Sequence, residues 1–178
     1  MKKVVWPVGS DSFTIYPVKK KNGVKPIKTG LLASLRDEGW TIEAPAEFGG
    51  TRNPGHYDAM LQTAYGPVAL EWETGNISSS HRSLNKMALA LRKSLLAAGV
   101  LVVPTRILYN YLTDRVGNDQ ELEPYFELWR SISCKQGILT IVVIEHDATS
   151  LEVAPIPKGT DGWALISRSR DLLRRNRR

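Results

Sequence analysis

Residues 67–73 constrain the fold more than any other segment of this chain. Apolar side chains occupy every second position from Val68 to Trp72, and this period of two predicts a β-strand. Because side chains two residues apart project from one face of a strand, Glu71 and Glu73 share the other face. Two such carboxylates repel each other unless positive charge lies between them, and Mg²⁺ suits their hard oxygen atoms. Without metal, one of the pair should have a raised pKa.

A third carboxylate joins this pair if the preceding segment is also a strand. Residues 57–62 precede residues 67–73 by a short turn, and together the two segments predict a β-hairpin. The hairpin brings Asp58 beside Glu71 and Glu73. An acidic trio on paired strands, in a basic chain, is the arrangement of a metal-dependent phosphodiesterase. A Glu-x-Glu pair taken alone is more often a solvated face of a sheet.

The rest of the pattern predicts a mixed β-sheet with helices on its faces. The clearest amphipathic helix covers residues 80–98, and Gly99 is expected to close it. Other helices are predicted at residues 27–39, ended by Gly39, at 107–112, and from a cap at Asp119 through Trp129. Other strands are predicted at residues 12–17, 40–44, 100–103 and 138–144, the last pairing with 151–154, and residues 48–55 form a loop.

The bulk properties of the chain indicate one globular domain. Its 178 residues suffice for a single domain over residues 1–178, with a basic C-terminal tail. No apolar run is long enough to cross a bilayer, and no long apolar segment follows the basic start. We therefore expect a cytoplasmic protein with no membrane span. The single cysteine, Cys134, excludes an internal disulfide and a cysteine-based zinc site.

The net charge of +6 favours a polyanionic partner. Basic residues cluster at residues 19–21, with Lys25 and Lys28 close behind, and again in the tail at residues 168–178. Each cluster alone is compatible with an ordinary solvated surface. Together with the acidic trio, they favour nucleic acid as the partner.

The order of these motifs resembles the PD-(D/E)xK nuclease core. An aspartate is followed by Glu-x-Glu on the next strand and then by a helix, and Glu73 stands where lysine is usual in that superfamily. The run Gly-Asn-Ile-Ser-Ser-Ser-His-Arg at residues 75–82 is similar to the segment after the catalytic strand in the BamHI/BglII group of restriction endonucleases. Asp-Arg-Val-Gly at residues 114–117 resembles that group's recognition segment. The likeness covers roughly residues 27–130.

This resemblance implies a restriction-endonuclease-like α/β fold, a central mixed sheet flanked by helices, and a metal-dependent reaction. Asp58 and Glu71 would hold Mg²⁺, for which Mn²⁺ would substitute, and Glu73 would orient or deprotonate the attacking water. An early glutamate often serves as a further ligand in this group. Glu38 is the favoured candidate for that ligand, with Glu47 as the alternative.

The resemblance also implies a set of DNA-binding side chains. Arginine reads guanine, asparagine reads adenine and aspartate reads cytosine in the major groove. Several of these residues could instead have a different role: Ser79 or Ser80 could cap a helix, Lys86 could approach the scissile phosphate, and Asp114 with Arg115 could be a surface ion pair. The implied DNA-binding residues are Asn76, Ser78, Ser79, Arg82, Lys86, Asp114 and Arg115.

The predicted function is that of a Mg²⁺-dependent type II restriction enzyme for double-stranded DNA, leaving a 5′-phosphate and a 3′-hydroxyl. A palindromic target, for which the resemblance suggests a GATC-containing sequence, requires a homodimer. Helices at residues 80–98 and 119–131 could form its interface. A cognate DNA methyltransferase would act on the same site. The alternatives are a less specific PD-(D/E)xK nuclease of repair, phage or mobile-element origin, and an inactive DNA-binding protein with this fold.

Overall fold

The computed structural model describes residues 4–47, 55–113 and 116–159. The strands in this part of the chain are β1 (Thr14–Ile15), β2 (Thr41–Pro45), β3 (His56–Thr63), β4 (Gly66–Trp72), β5 (Ala98–Pro104), β6 (Ile138–Ile144) and β7 (Ala148–Thr149). The helices are α1 (Lys25–Asp37), α2 (Ile77–Arg92), α3 (Arg106–Tyr109), α4 (Asp119–Leu122) and α5 (Phe126–Arg130), with a 3₁₀ turn at Glu123–Tyr125. Five strands form a mixed sheet flanked by helices, which confirms the predicted α/β fold.

The five-stranded sheet has the order β2-β3-β4-β5-β6. β3 and β4 form the predicted antiparallel hairpin, with Met60 opposite Ala69, and β2 pairs antiparallel to β3. β4, β5 and β6 run parallel. Parallel neighbours need a long crossover, and α2 provides it between β4 and β5. The carboxyl ends of these two strands lie side by side, where Trp72 pairs with Val102.

Two hydrophobic clusters cover the sheet. Leu31 of α1 packs in one cluster with Trp72, and Leu84 of α2 packs in the other with Leu101. Each such fully buried side chain contributes about 1.5–3 kcal/mol to folding. Because β4 is covered on both sides, its charged residue Glu71 is buried with its apolar neighbours.

Helix α1 begins and ends close to its predicted boundaries. Pro26 lies in its first turn, where a missing backbone N–H costs nothing. Gly39 has a φ of +88°, and its amide donates to the carbonyl of Arg36 at 3.0 Å. The left-handed conformation that glycine adopts readily therefore ends the helix, as predicted.

Helix α2 is displaced from its predicted range of 80–98, since it both begins and ends earlier. Ser94 has a φ of +57°, and the amides of Ser94 and the next residue donate to carbonyls of the last helical turn. Glycine usually takes this left-handed position, so the sequence gives no sign of the ending. Gly99 lies in β5 instead. A side chain there would come within 2.9 Å of the Cβ of Met87, so glycine allows α2 to pack closely on the sheet.

Two other predicted elements differ from the structure. The helix predicted at residues 107–112 forms but is shorter, since α3 ends at Tyr109 and Leu112 forms an isolated parallel bridge with Asn22. The strand predicted at residues 151–154 does not form, since the chain bends there. β6 pairs with β5, whereas the short β7 pairs with β1, which confirms the strand expected near residues 12–17.

The cap of α4 is Asn118 and not Asp119. Oε2 of Glu121 accepts the backbone N–H of Asn118 at 3.3 Å, while Asp119 turns to another helix. Its Oδ1 accepts the backbone N–H of Arg106 at 2.8 Å, at the start of α3. Within the described ranges, no helix has the length and apolar character to cross a membrane.

Candidate active site

Asp58 lies where β3 and β4 separate. At the open end of the hairpin, away from the turn, the last backbone pair between the two strands joins Ala59 to Leu70. Beyond it, Oδ2 of Asp58 accepts the amide N–H of Trp72 at 2.7 Å, so a carboxylate replaces a backbone partner. This bond holds the Asp58 carboxylate beside Trp72, the residue between Glu71 and Glu73.

Glu71 is the buried member of the acidic trio. Burial raises its pKa above the ordinary value, and the nearby charges of Asp58 and Glu73 raise it further. The ammonium of Lys86 opposes these effects through a hydrogen bond and an ion pair. The expected raised pKa of one glutamate is confirmed, although burial is a larger cause than repulsion between carboxylates. The charges of Asp58 and Glu73 thus act on Glu71, and the hairpin of β3 and β4 forms as predicted.

Lys86 reaches Glu71 from α2. Its Nζ donates to Oε1 of Glu71 and, at 2.9 Å, to the carbonyl of His56. The same ammonium lies 4.6 Å from the centre of the Tyr57 ring, a cation–π contact. Burial, followed by the charge of Glu71, raises the pKa of Tyr57 to about 12. Lys86, expected to bind DNA, is thus engaged with a carboxylate.

Lys28 brings a second ammonium into the acidic centre. Its Nζ donates to Oδ1 of Asp58 at 2.7 Å and to the carbonyl of Trp72 at 3.0 Å. The sequence placed Lys28 only in a basic cluster and did not connect it to the acids. The missed signal is its position one turn into α1, a helix whose apolar face packs on the strands that carry the acids.

Glu73 follows the end of β4 and is only partly buried. The hydroxyl of Ser83 on α2 lies 3.4 Å from its Oε1, a long hydrogen bond. Gly75 leaves room for the Glu73 carboxylate, because a Cβ there would lie 3.2 Å from Oε2. Of the three acids, Glu73 is therefore the one with a neutral hydroxyl as its neighbour.

A cleft of about 850 Å³ opens beside the trio. Its walls include Glu71 and Glu73 together with Ser78, Arg82 and Lys86. Acids predicted for catalysis and polar residues predicted for DNA contact thus share one surface. The basic side of the cleft comes from the first turns of α2, where the backbone amides also favour an anion.

The cap of α2 is Asn76. Its Oδ1 accepts the amide of Ser79 at 3.2 Å, so the expectation that Ser79 or Ser80 caps the helix is wrong. Ser80 is buried next to Gly117, and its hydroxyl has no hydrogen-bond partner among the described residues. Asn76 remains exposed at the cleft end of the helix, and so does Ser78.

The recognition segment that the resemblance implies is described only in part. Asp114 and Arg115 lie outside the described residues. Directly after them, the amide of Gly117 donates to the carbonyl of Gly75 at 3.0 Å. This bond joins the segment to the loop that follows Glu73, so the two motifs of the resemblance meet in space.

The early glutamates differ in their positions. Glu38 ends α1, about 15 Å along the helix from Lys28, and its recorded contact is local, with the hydroxyl of Ser34 at 3.4 Å. Glu47 is exposed after β2. The structure brings neither of them to the acidic centre.

Glu43 of β2 is an acid that sequence patterns did not reveal. The pairs Ile42 with Ala59 and Ala44 with Tyr57 bracket it, so the register brings the exposed Glu43 across from Asp58. Its φ of +52° is unusual for a non-glycine residue inside a strand, and such strain clusters at functional sites. The sequence hides it, because a single glutamate in a short edge strand resembles a solvated position.

The donor atoms of this centre suit a hard cation. Among the residues that the structure describes, no three acidic, histidine or cysteine side chains are already arranged around a metal position. Asp58, Glu71 and the Trp72 carbonyl instead each hold a lysine ammonium. Oxygen atoms that already bind two cationic groups are the ligand type that Mg²⁺ takes, so the residues fit this ion.

Comparison with known proteins gives consistent matches. The family described as Restriction endonuclease BamHI matches residues 1–163 of the chain. The type II restriction enzyme OkrAI of Oceanobacter kriegii is 51% identical over 165 residues, which cover 93% of this chain and 85% of that protein. The type II restriction enzyme BamHI of Bacillus amyloliquefaciens is 37% identical over 170 residues, covering 90% and 76%.

Proposed function

The chain belongs to the restriction endonuclease BamHI family, and from this premise we propose that it is a Mg²⁺-dependent homodimer that cleaves double-stranded DNA at a palindromic site. Membership confirms the resemblance at residues 71–82 and makes the chain a type II restriction endonuclease, a site-specific deoxyribonuclease. The metal, the dimer and the roles of single residues are parts of the proposal.

One observation carries the proposed chemistry. Asp58, Glu71 and Glu73 converge at the end of β4, and two of them face the cleft that also contains Arg82. Three carboxylates at one point repel a phosphate unless cations accompany them. Lys28 and Lys86 supply two positive charges against three acids, and a divalent metal would supply the further charge that phosphodiester chemistry needs, which favours a nuclease over an inactive DNA-binding protein.

Glu73, Ser83 and Arg82 have separate roles in the proposed reaction. Glu73 accepts a proton from the attacking water, because it lines the cleft and its hydrogen-bond partner among the described residues is the neutral Ser83 hydroxyl. The Ser83 hydroxyl restrains the Glu73 carboxylate during this step. Arg82 lies on the same cleft wall and neutralises a backbone phosphate of the DNA. Cleavage leaves a 5′-phosphate and a 3′-hydroxyl.

Asp58 and Glu71 would hold the metal, with the Trp72 carbonyl as a further oxygen donor. Glu43 replaces Glu38 and Glu47 as our candidate for an additional acidic ligand, since it stands opposite Asp58. When bound, Mg²⁺ supplies the positive charge that stabilises negative charge developing on the scissile phosphate. Mn²⁺ should substitute, because it prefers the same oxygen ligands.

We assign recognition of the DNA sequence to the start of α2 and to the segment at residues 114–117. Asn76 and Ser78 are exposed there, and residues 114–115 adjoin Gly117, which bonds to Gly75. In this proposal Lys86 supports Glu71 and contacts DNA only secondarily. The base-reading and phosphate-binding residues are Asn76, Ser78, Ser79, Arg82, Asp114 and Arg115. A GATC-containing target is the corresponding proposal for specificity.

The dimer would use α2 together with the segment that contains α4 and α5. Tyr125 and Leu128 are large apolar side chains exposed on that segment, which supports an interface there. Two-fold symmetry lets each active site cut one strand of a palindrome. A restriction enzyme endangers the DNA of its own host, so a cognate methyltransferase and a cytoplasmic location belong to the proposal.

The test is digestion of unmethylated plasmid and phage DNA by the purified protein with Mg²⁺, beside Glu71→Ala and a sample with EDTA. We expect discrete fragments that both controls abolish, and sequencing of the ends then gives the site. A smear with the same dependence would favour the less specific nuclease. Specific DNA binding that Glu71→Ala leaves intact, with no cleavage under Mg²⁺ or Mn²⁺, would favour the inactive DNA-binding protein.

A further inference from the structure

The acidic centre contains its own cations. Lys28 donates to Asp58 at 2.7 Å and to the Trp72 carbonyl at 3.0 Å, and Lys86 donates to Glu71. Asp58, Glu71 and the Trp72 carbonyl, all of which the proposed function gives to the metal, thus each hold a lysine ammonium. A divalent cation bound to these oxygen atoms repels an ammonium held by the same atoms, so metal entry weakens these contacts, most of all for a lysine whose acceptors are all metal donors.

We propose that Lys28 is a built-in placeholder cation, which occupies the metal position of the metal-free enzyme and must leave when the metal binds. This inference rests on the proposed function, because it assumes that Asp58 and the Trp72 carbonyl are metal donors. Lys28 holds the two oxygen atoms in place before the metal arrives. Because it must be displaced, it lowers the apparent affinity of the site for the metal.

The contacts of the two lysines indicate which one leaves. Both recorded acceptors of Lys28 are proposed metal donors, whereas Lys86 also bonds to the carbonyl of His56 and lies against the Tyr57 ring. The Lys28 side chain is also more exposed, at 19% compared with 13% for Lys86. Lys28 can therefore leave while the metal takes over both of its acceptors, whereas Lys86 would lose two contacts outside the acids.

The placeholder has a measurable consequence for metal affinity. A ligand that binds only the fraction of molecules in which Lys28 has moved away has an apparent affinity reduced by that fraction. Removing the ammonium removes this penalty. Because an ion pair of this kind is modest, we expect Lys28→Met to bind the metal about fivefold to tenfold more tightly.

The first experiment measures Mn²⁺ binding to the DNA-free protein by electron paramagnetic resonance. Lys28→Met is compared with the wild type and with Lys135→Met, a matched control. Lys135 precedes β6, at the opposite end of the sheet from Trp72, so its removal changes the net charge equally without touching the site. We expect tighter binding in Lys28→Met, and no change in Lys135→Met.

A second experiment uses the wild-type protein and needs no variant to fold. Lysines are acetylated briefly with acetic anhydride, with and without Mg²⁺, and the modified positions are mapped by mass spectrometry. Lys28 should become several-fold more reactive with Mg²⁺, because its ammonium is released to solvent. Lys135 serves as the internal reference and should keep its reactivity, while Lys86, which also contacts the His56 carbonyl and the Tyr57 ring, should change less than Lys28. This readout separates displacement from a general electrostatic effect of charge removal.

The outcomes distinguish this inference from the proposed function. Asp58→Asn and Glu71→Gln should both lose Mn²⁺ binding; if the wild type itself binds no Mn²⁺, the proposed metal site fails and the inference fails with it. If the wild type binds Mn²⁺ and these two variants do not, the metal site stands. In that case, unchanged or weaker binding by Lys28→Met, or unchanged acetylation of Lys28, overturns the placeholder role alone.

Discussion

Two lysine–carboxylate pairs face each other in the candidate site, and they differ in what surrounds them. In the Lys28–Asp58 pair, the side chains are 19% and 13% exposed, and Asp58 has a second donor in the amide of Trp72. In the Lys86–Glu71 pair, the side chains are 13% and 8% exposed, and burial raises the pKa of Glu71. Similar ion pairs can therefore have different roles. Lys28 can be exchanged for a metal ion, whereas Lys86 stabilises the buried carboxylate of Glu71.

The largest expected effect is on cleavage, and there the two pairs should behave alike. Asp58→Asn and Glu71→Gln each remove a proposed metal ligand, so the rate of DNA cleavage should fall by about 10³-fold or more in both variants. A single-turnover assay with a cognate oligonucleotide measures this loss. A normal rate for either variant would show that the corresponding acid is not part of the reaction.

The free energy of unfolding of the metal-free protein should distinguish the two lysine–carboxylate pairs. Lys86→Met leaves Glu71 buried without its cation, and we expect the free energy of unfolding to fall by about 3 kcal/mol. Lys28→Met leaves Asp58 with the Trp72 amide and partial solvent, so a loss of only about 1 kcal/mol is expected. Urea denaturation in EDTA measures both. Equal losses would contradict the assignment of different tasks to the two lysines.

The dependence of stability on pH isolates the buried acid. Because the folded-state pKa of Glu71 lies above its ordinary value of 4.5, the folded protein binds more protons than the unfolded chain just above that pH. This group therefore makes the wild type less stable as pH rises from about 4.5 through the raised pKa. Glu71→Gln lacks the effect.

The corresponding measurement is the difference in unfolding free energy between Glu71→Gln and the wild type, in EDTA, from pH 4 upward. The advantage of the variant should grow across this window and then level off. A difference that does not vary with pH would mean that Glu71 has the same pKa in the folded and unfolded states.

The smallest expected effect concerns Glu73, the acid with a neutral neighbour. Ser83→Ala removes the long 3.4 Å hydrogen bond to its carboxylate, so cleavage should slow by about twofold to threefold. Metal affinity and stability should change little, in contrast to the lysine variants. A loss as large as that of Glu71→Gln would assign Ser83 a direct part in the chemistry.

The acidic centre was largely predictable from local patterns. The alternation in residues 67–73 placed two glutamates together, and the short turn before them placed Asp58 on the neighbouring strand. These inferences need only the period of a strand and the geometry of a hairpin. Gly39 likewise marked a helix end, because a left-handed residue is needed there.

The wrong predictions concern features that tertiary contacts determine. Ser94 ends α2 in a left-handed conformation that its side chain does not favour, and Gly99 was mistaken for the end because its packing on Met87 is not visible in sequence. Glu43 was missed and Glu38 was favoured for a related reason. The register of β2 against β3 decides which early glutamate stands opposite Asp58.

The strand hairpin, its carboxylates and the existence of the helix that follows can be predicted from local sequence, because they depend on periodicity and on neighbours a few residues apart. The partners of those carboxylates depend on long-range packing. Lys28 precedes Asp58 by 30 residues, and Lys86 follows Glu71 by 15. Their ammonium groups reach the acids because α1 and α2 pack on the sheet, and the burial that this packing creates raises the pKa of Glu71.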